Sequence, residues 1–169
     1  MAFPNSYSVG ITSLGYQVIW AALAERKDVD VKRLFTDQQE NIHRNCDLFG
    51  LSLSWELDGP IFLNLLEQQR IPLWSDKRKE NDPIVFGGGP VLTANPEPFA
   101  PFLDVVLLGD GEKLLPIFIE TIHKTKHNSR VSRLKTLARI PGIYVPSLYE
   151  PQYNSEGNLL SVKPIEADI

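Results

Sequence analysis

One cysteine, Cys46, is all the thiol chemistry in this chain of 169 residues. A lone cysteine forms no internal disulfide and brings no second thiolate to a metal cluster, so disulfide scaffolds and cysteine-held clusters built from this chain alone are excluded. Such cysteine use suits a reducing compartment, where a buried or half-buried thiol packs as a small apolar group. Basic residues are outnumbered, 17 Lys and Arg against 21 Asp and Glu, and the net charge of -4 with a pI near 5.4 excludes a general nucleic-acid binder. The longest unbroken apolar run, Val18 to Ala24, is too short to span a bilayer. The opening Met-Ala-Phe-Pro-Asn-Ser has neither the basic start nor the apolar run of a signal peptide. A cytoplasmic location is the expectation.

The remaining composition, 43% hydrophobic and 22% charged, is that of an ordinary globular domain with one core. Its organising stretch is Pro83-Ile-Val-Phe-Gly-Gly-Gly-Pro90, a buried-strand run that stops in three glycines. Without Cβ atoms the backbone takes positive φ or approaches a ligand closely, and ligands of open α/β sheets sit outside the strand carboxyl ends. A tight strand-to-helix turn is the other use of the same glycines.

Read in order, strand and helix patterns alternate. Tyr7 to Ile11 suits a first strand, capped by Thr12-Ser13 into a helix over Leu14 to Arg26. Asp30 to Phe35 suits a second strand, Asp37 to Asn45 a short helix or loop, and Asp47 to Ser54 a third, buried strand. A helix from Asp58 to about Arg70 carries an apolar stripe, and the glycine-ended strand at Ile84 is the fourth. A short helix through Phe102, a fifth strand over Asp104 to Leu108 and a helix over Lys113 to Lys126 follow. This alternation predicts an α/β, flavodoxin-like three-layer fold over residues 1–128, with a five-stranded parallel sheet of order 2-1-3-4-5. Residues 129–169 form an extension: a helix over Ser129 to Ile140, a proline-bracketed edge strand over 141–146, and a hairpin pairing 149–153 with 159–163 around Gly157.

Taken together, Phe3-Pro-Asn-Ser-Tyr-Ser-Val-Gly-Ile-Thr-Ser-Leu-Gly-Tyr-Gln17, Gly50-Leu-Ser-Leu-Ser-Trp-Glu-Leu57, Phe86-Gly-Gly-Gly-Pro90, Asn95-Pro-Glu-Pro98 and Gly109-Asp-Gly-Glu112 resemble the N-terminal region of radical S-adenosylmethionine enzymes that carry a cobalamin-binding-like domain. The resemblance covers nearly the whole chain. It implies an accessory domain of a longer iron-sulfur enzyme, with the hairpin leading into a C-terminal radical SAM barrel as its partner. The [4Fe-4S] cluster and S-adenosylmethionine are expected in that barrel alone, because the CxxxCxxC motif that holds three irons and frees the fourth is missing here. No catalytic residue and no metal ligand is expected in this chain.

Cobalamin is the cofactor the resemblance suggests for this domain, with substrate as the other occupant of the strand carboxyl ends; a ligand-free packing module is the alternative. The cobalt-binding DxHxxG loop of corrinoid enzymes is replaced by Thr12-Ser-Leu-Gly15, and His43, His123 and His127 read as surface or packing histidines. Cofactor contacts would come from the strand ends: Thr12, Ser13, Ser52 and Ser54 through hydroxyls, and Gly15, Gly87, Gly88, Gly89, Gly109 and Gly111 by opening a slot. Glu112 is a further contact or merely a favourable charge at a helix start.

Other occupants of this fold fare worse. A phosphoreceiver needs acids after the third strand, where Ser52-Leu-Ser-Trp55 stands. The first loop keeps only part of a flavin mononucleotide turn, and a GxGxxG fingerprint is absent. Lys124, Lys126, Arg130, Arg133, Lys135 and Arg139 follow one another without an acid. They form either a solvated helix face or, should the longer protein modify RNA, a phosphate contact.

Overall fold

The computed structural model describes residues 1–40, 46–167 and 169. Its regular sheet has four strands in the order β1-β2-β3-β4: β1 (Leu48–Ser52), β2 (Ile84–Gly88), β3 (Val105–Leu107) and β4 (Ile143–Tyr144). The first three are parallel, in register Gly50 to Phe86 and Phe86 to Val105, and β4 runs antiparallel to β3 at the edge. The result is a mixed α/β fold with a mostly parallel sheet, rather than five regular parallel strands.

The expected first strand is instead a helical turn, α1 (Tyr7–Gly10). Pro4, Asn5 and Ser6 turn the chain, and Tyr7 N–H donates to Asp37 Oδ1 at 2.7 Å, which starts the helix. The pairing role passes to Ala2, which bridges in parallel to Leu51 on one side and Leu34 on the other. The expected second strand reduces to that contact at Leu34. Its neighbours are taken up by a local turn, with Phe35 N–H on Gln38 O and Glu40 N–H on Arg33 O. The short helix or loop expected over Asp37 to Asn45 lies partly, and His43 wholly, outside the described residues.

The helices follow the sequence more closely. Ser13 caps α2 (Leu14–Ala24), Asp110 caps α5 (Gly111–Lys124) and Ser129 caps α6 (Arg130–Ala138), each with a side-chain oxygen accepting a first-turn N–H. The helix α3 (Gly59–Gln68) starts with Pro60 near its first position after a 3-10 turn over Glu56–Asp58. One short helix went unread, α4 (Pro90–Ala94), which starts directly from the three glycines. The stretch through Phe102 is a 3-10 turn over Ala100–Phe102.

Two apolar layers sandwich the sheet. Phe62, Leu65 and Leu66 of α3 pack with Leu51, Val85, Leu92 and Val106 on one face. On the other, Leu115, Phe118 and Ile119 of α5 and Leu134 and Leu137 of α6 pack with Ile84, Phe86 and Val105. Alternate strand residues point to opposite faces, so each strand feeds both layers. A two-stranded antiparallel sheet, β5 (Tyr149–Tyr153) with β6 (Leu159–Pro164), follows β4 as the sequence predicts.

A cluster of three charged side chains, Arg78, Asp104 and Arg130, is buried against this core. Asp104 Oδ2 accepts from Arg78 Nη1 at 2.9 Å, Arg130 Nη2 at 2.7 Å and Val85 N at 2.8 Å. The Arg78 guanidinium also reaches the carbonyls of Leu73 and Phe102, and Arg130 those of Asp82 and Pro83. Burial pulls Arg78 below its ordinary pKa, and Asp104 opposes that shift. Arg130 therefore leaves the basic face read from the sequence and serves as a buried fastener at the start of α6, while Lys135 pairs with Glu166 at 2.6 Å. No helix among the described residues is long and apolar enough to cross a membrane.

Candidate functional site

Parallel strands end together, and at the carboxyl ends of β1, β2 and β3 they enclose a cavity of about 210 Å³. Ser52 and Ser54 come from the end of β1, Gly88 and Gly89 from the end of β2. Gly109, Gly111 and Glu112 come from the loop after β3 and the start of α5, and Gly15 from the start of α2. These are eight of the residues expected from the sequence. Thr12, Ser13 and Gly87 are not among the lining residues. The Thr12 hydroxyl donates to Val9 O at 2.8 Å, and Ser13 Oγ accepts from Tyr16 N–H as the α2 cap. Gly87 faces the α3 side of the sheet, where an added Cβ would lie 2.6 Å from Leu92 Cδ1.

The glycines act in different ways. Gly89 has φ of 112°, and a Cβ there would lie 2.5 Å from Leu53 O, so the exits of β1 and β2 touch only because that position is glycine. Gly109 also has positive φ, 100°, but with open space around its missing Cβ, and its N–H donates to Thr93 Oγ1 at 3.2 Å. Gly15 likewise faces open space. Beneath the slot, Gly50 makes room for the floor: a Cβ there would lie 2.5 Å from Phe86 Cζ and 2.9 Å from Met1 Sδ.

The floor is apolar, built from Phe86, Leu107, Leu115, Val18 and Ile19. Sequence reading passed over these residues because each also looks like ordinary core; Val18 and Ile19 on the α2 face were the signal to use. The lip is acidic. Asp110 accepts from Glu112 N–H at 3.1 Å and pairs with Lys113, whose ammonium holds the Asp110 carboxyl below the usual range. No lysine or arginine lines the cavity among the described residues. Nor do three His, Cys, Asp or Glu side chains gather as a metal site there or elsewhere among them. A second recess of about 340 Å³ beside Trp74 and Pro101 holds none of the expected residues.

Cobalamin fits these residues poorly. The cavity is smaller than the roughly 300–1,000 Å³ of pockets that enclose drug-sized ligands, and a corrin is larger than those ligands. Among the described residues no imidazole lines the cavity, and its charged side chains, Asp110 and Glu112, are anionic and would repel the phosphate of a nucleotide tail.

Comparison with known proteins agrees with the sequence pattern. An uncharacterized protein of Methanocaldococcus jannaschii is 30% identical over 111 residues, a match covering 65% of this chain and 23% of that protein. The chain thus spans about a quarter of that relative's length. No solved structure matches it. Residues 16–146, which include most of α2, the four-stranded sheet and nearly the whole cavity, match the family described as radical SAM proteins, N-terminal; this chain belongs to that family.

Proposed function

We propose that this chain is the accessory domain of a radical SAM enzyme, and that its strand-end cavity receives one uncharged, ring-sized group of the substrate. The observation that carries this reading is the pairing of an apolar floor with glycine-opened walls and, among the described residues, no lysine or arginine side chain. A cavity on the order of 150 Å³ lined by apolar side chains accepts benzene, so about 210 Å³ suits a single ring. The [4Fe-4S] cluster and S-adenosylmethionine would belong to a catalytic domain in the same polypeptide, joined through 129–169, and the setting would be cytoplasmic. Residues 1–128 would form the domain proper. The bridges of Ala2 to Leu34 and Leu51 support a flavodoxin-like order at the sheet edge.

A second reading, the packing module without a ligand, is favoured by one observation. Leu14 and Trp55, next in sequence to the lining residues Gly15 and Ser54, are 77% and 60% exposed, and Leu57, two residues after Trp55, is 75% exposed. Such a rim suits coverage by protein.

Titration of the chain with benzyl alcohol and, separately, with hydroxocobalamin distinguishes these readings. The expected result is amide shifts at Gly15, Gly88 and Gly109 with benzyl alcohol and none with the corrinoid. Shifts with hydroxocobalamin alone would restore the cofactor reading, and no shift with either would favour the packing module.

A further inference from the structure

The hairpin β5–β6 is two-sided in a way that its own domain does not use up. Its register pairs Tyr149 with Pro164, Pro151 with Val162, and Tyr153 with Leu159, and residues two apart on a strand share a face. Tyr149 and Val162 pack against the α3-side core, and the Tyr149 ring lies 5.0 Å from that of Tyr144. The intervening pairs, Glu150 with Lys163 and Gln152 with Ser161, put polar groups on the opposite face.

The apolar face does not stop where the core stops. The register shifts between Gln152 and Tyr153, so that Leu159 and Leu160 both stand opposite Tyr153. These three are 55%, 44% and 67% exposed, in the order Tyr153, Leu159, Leu160. A shift of this kind gathers side chains that strict alternation would divide between faces. An isolated two-stranded hairpin is marginally stable in water, and this one is tied down near its base, by Ile165 N–H on Leu148 O and Lys135 on Glu166.

What lies beyond the hairpin is indicated by the extent of the family match. The matched residues end at Pro146, before the hairpin begins, and the family is described as radical SAM proteins, N-terminal. The relative from Methanocaldococcus jannaschii has more than three quarters of its length outside the match. We propose that the outer apolar face of the hairpin, Tyr153 with Leu159 and Leu160, is an interdomain contact covered by the catalytic domain of the same polypeptide. This rests on the accessory-domain reading but concerns a surface separate from the cavity.

Hydrogen exchange in the full-length polypeptide, compared with this chain alone, tests it. Amides of residues 150–163 exchange at least about tenfold more slowly in the full-length protein, and Leu160→Glu returns them to the rate of the chain alone, whereas Ser161→Glu on the polar face does not. Equal exchange in the two proteins, with the CxxxCxxC domain present and folded, overturns the contact and leaves the accessory-domain reading standing. A full-length polypeptide without that domain overturns both. Protection that rises with the concentration of this chain alone assigns the face to a second copy and also overturns the proposal.

Discussion

Arg130 Nη2 lies 2.7 Å from Asp104 Oδ2 across 26 residues of sequence, and both side chains are almost wholly buried. The contact fastens the first turn of α6 to the start of β3. Removing one partner of a buried ion pair leaves the other charge without compensation, which costs about 3–5 kcal/mol. Asp104→Ala strands two guanidinium groups, so urea unfolding should show a loss in that range. Lys135→Ala, which breaks a half-exposed pair, should lose less than about 1 kcal/mol. Arg130→Glu would report on folding before it reported on RNA.

Two of the glycines with positive φ, Gly89 and Gly109, should separate by environment. At Gly109 an alanine meets open space and bears only the left-handed backbone, about 1–2 kcal/mol. At Gly89 the same backbone strain is joined by overlap with Leu53 O, and Gly89→Ala should cost more than about 3 kcal/mol. Paired denaturant melts check the order; equal losses would mean that the β1 and β2 exits part easily.

Stability should depend on pH through the amino terminus. The Met1 ammonium donates to Lys32 O at 2.6 Å, and burial pulls its pKa from 8.0 down to about 6. Between those values the unfolded chain binds more protons than the folded one, so stability rises with pH. The unfolding free energy at pH 8 should exceed that at pH 6 by about 2 kcal/mol from this group. Acetylating the amine should flatten that slope, whatever it does to the absolute stability.

Tyr144 and Glu97 join the edge strand to the Asn95-Pro-Glu-Pro98 loop, with the hydroxyl donating to Glu97 Oε1 at 2.7 Å. Burial, with the Glu97 carboxylate adding to it, raises the phenol above its ordinary pKa. Tyr144→Phe should cost about 1–2 kcal/mol, and Glu97→Gln less, because an amide still accepts that hydrogen bond. Thermal melts of the two variants give the comparison.

The strand-end cavity was legible because its signal is local: glycine clusters directly after apolar runs, at Gly87 to Gly89 and Gly109 to Gly111. The first strand was not, because Tyr7 to Ile11 has strand-like residues while a tertiary bond from Asp37 starts a helix there. Arg78 lies 26 residues before Asp104 and Arg130 26 residues after it, so no window holds that cluster. Arg130 looked solvated for the same reason: its sequence neighbours are basic, and its true partners are distant.

Helix α6 carries a fastener at each end of its length. Arg130 holds its first turn to the sheet, and Lys135 holds Glu166 just past the hairpin. The helix therefore acts as a short strut between sheet and hairpin. Under the proposed function, a catalytic domain following the hairpin would inherit a bearing relative to the strand-end cavity, so that a substrate group held there would be aimed and not merely tethered.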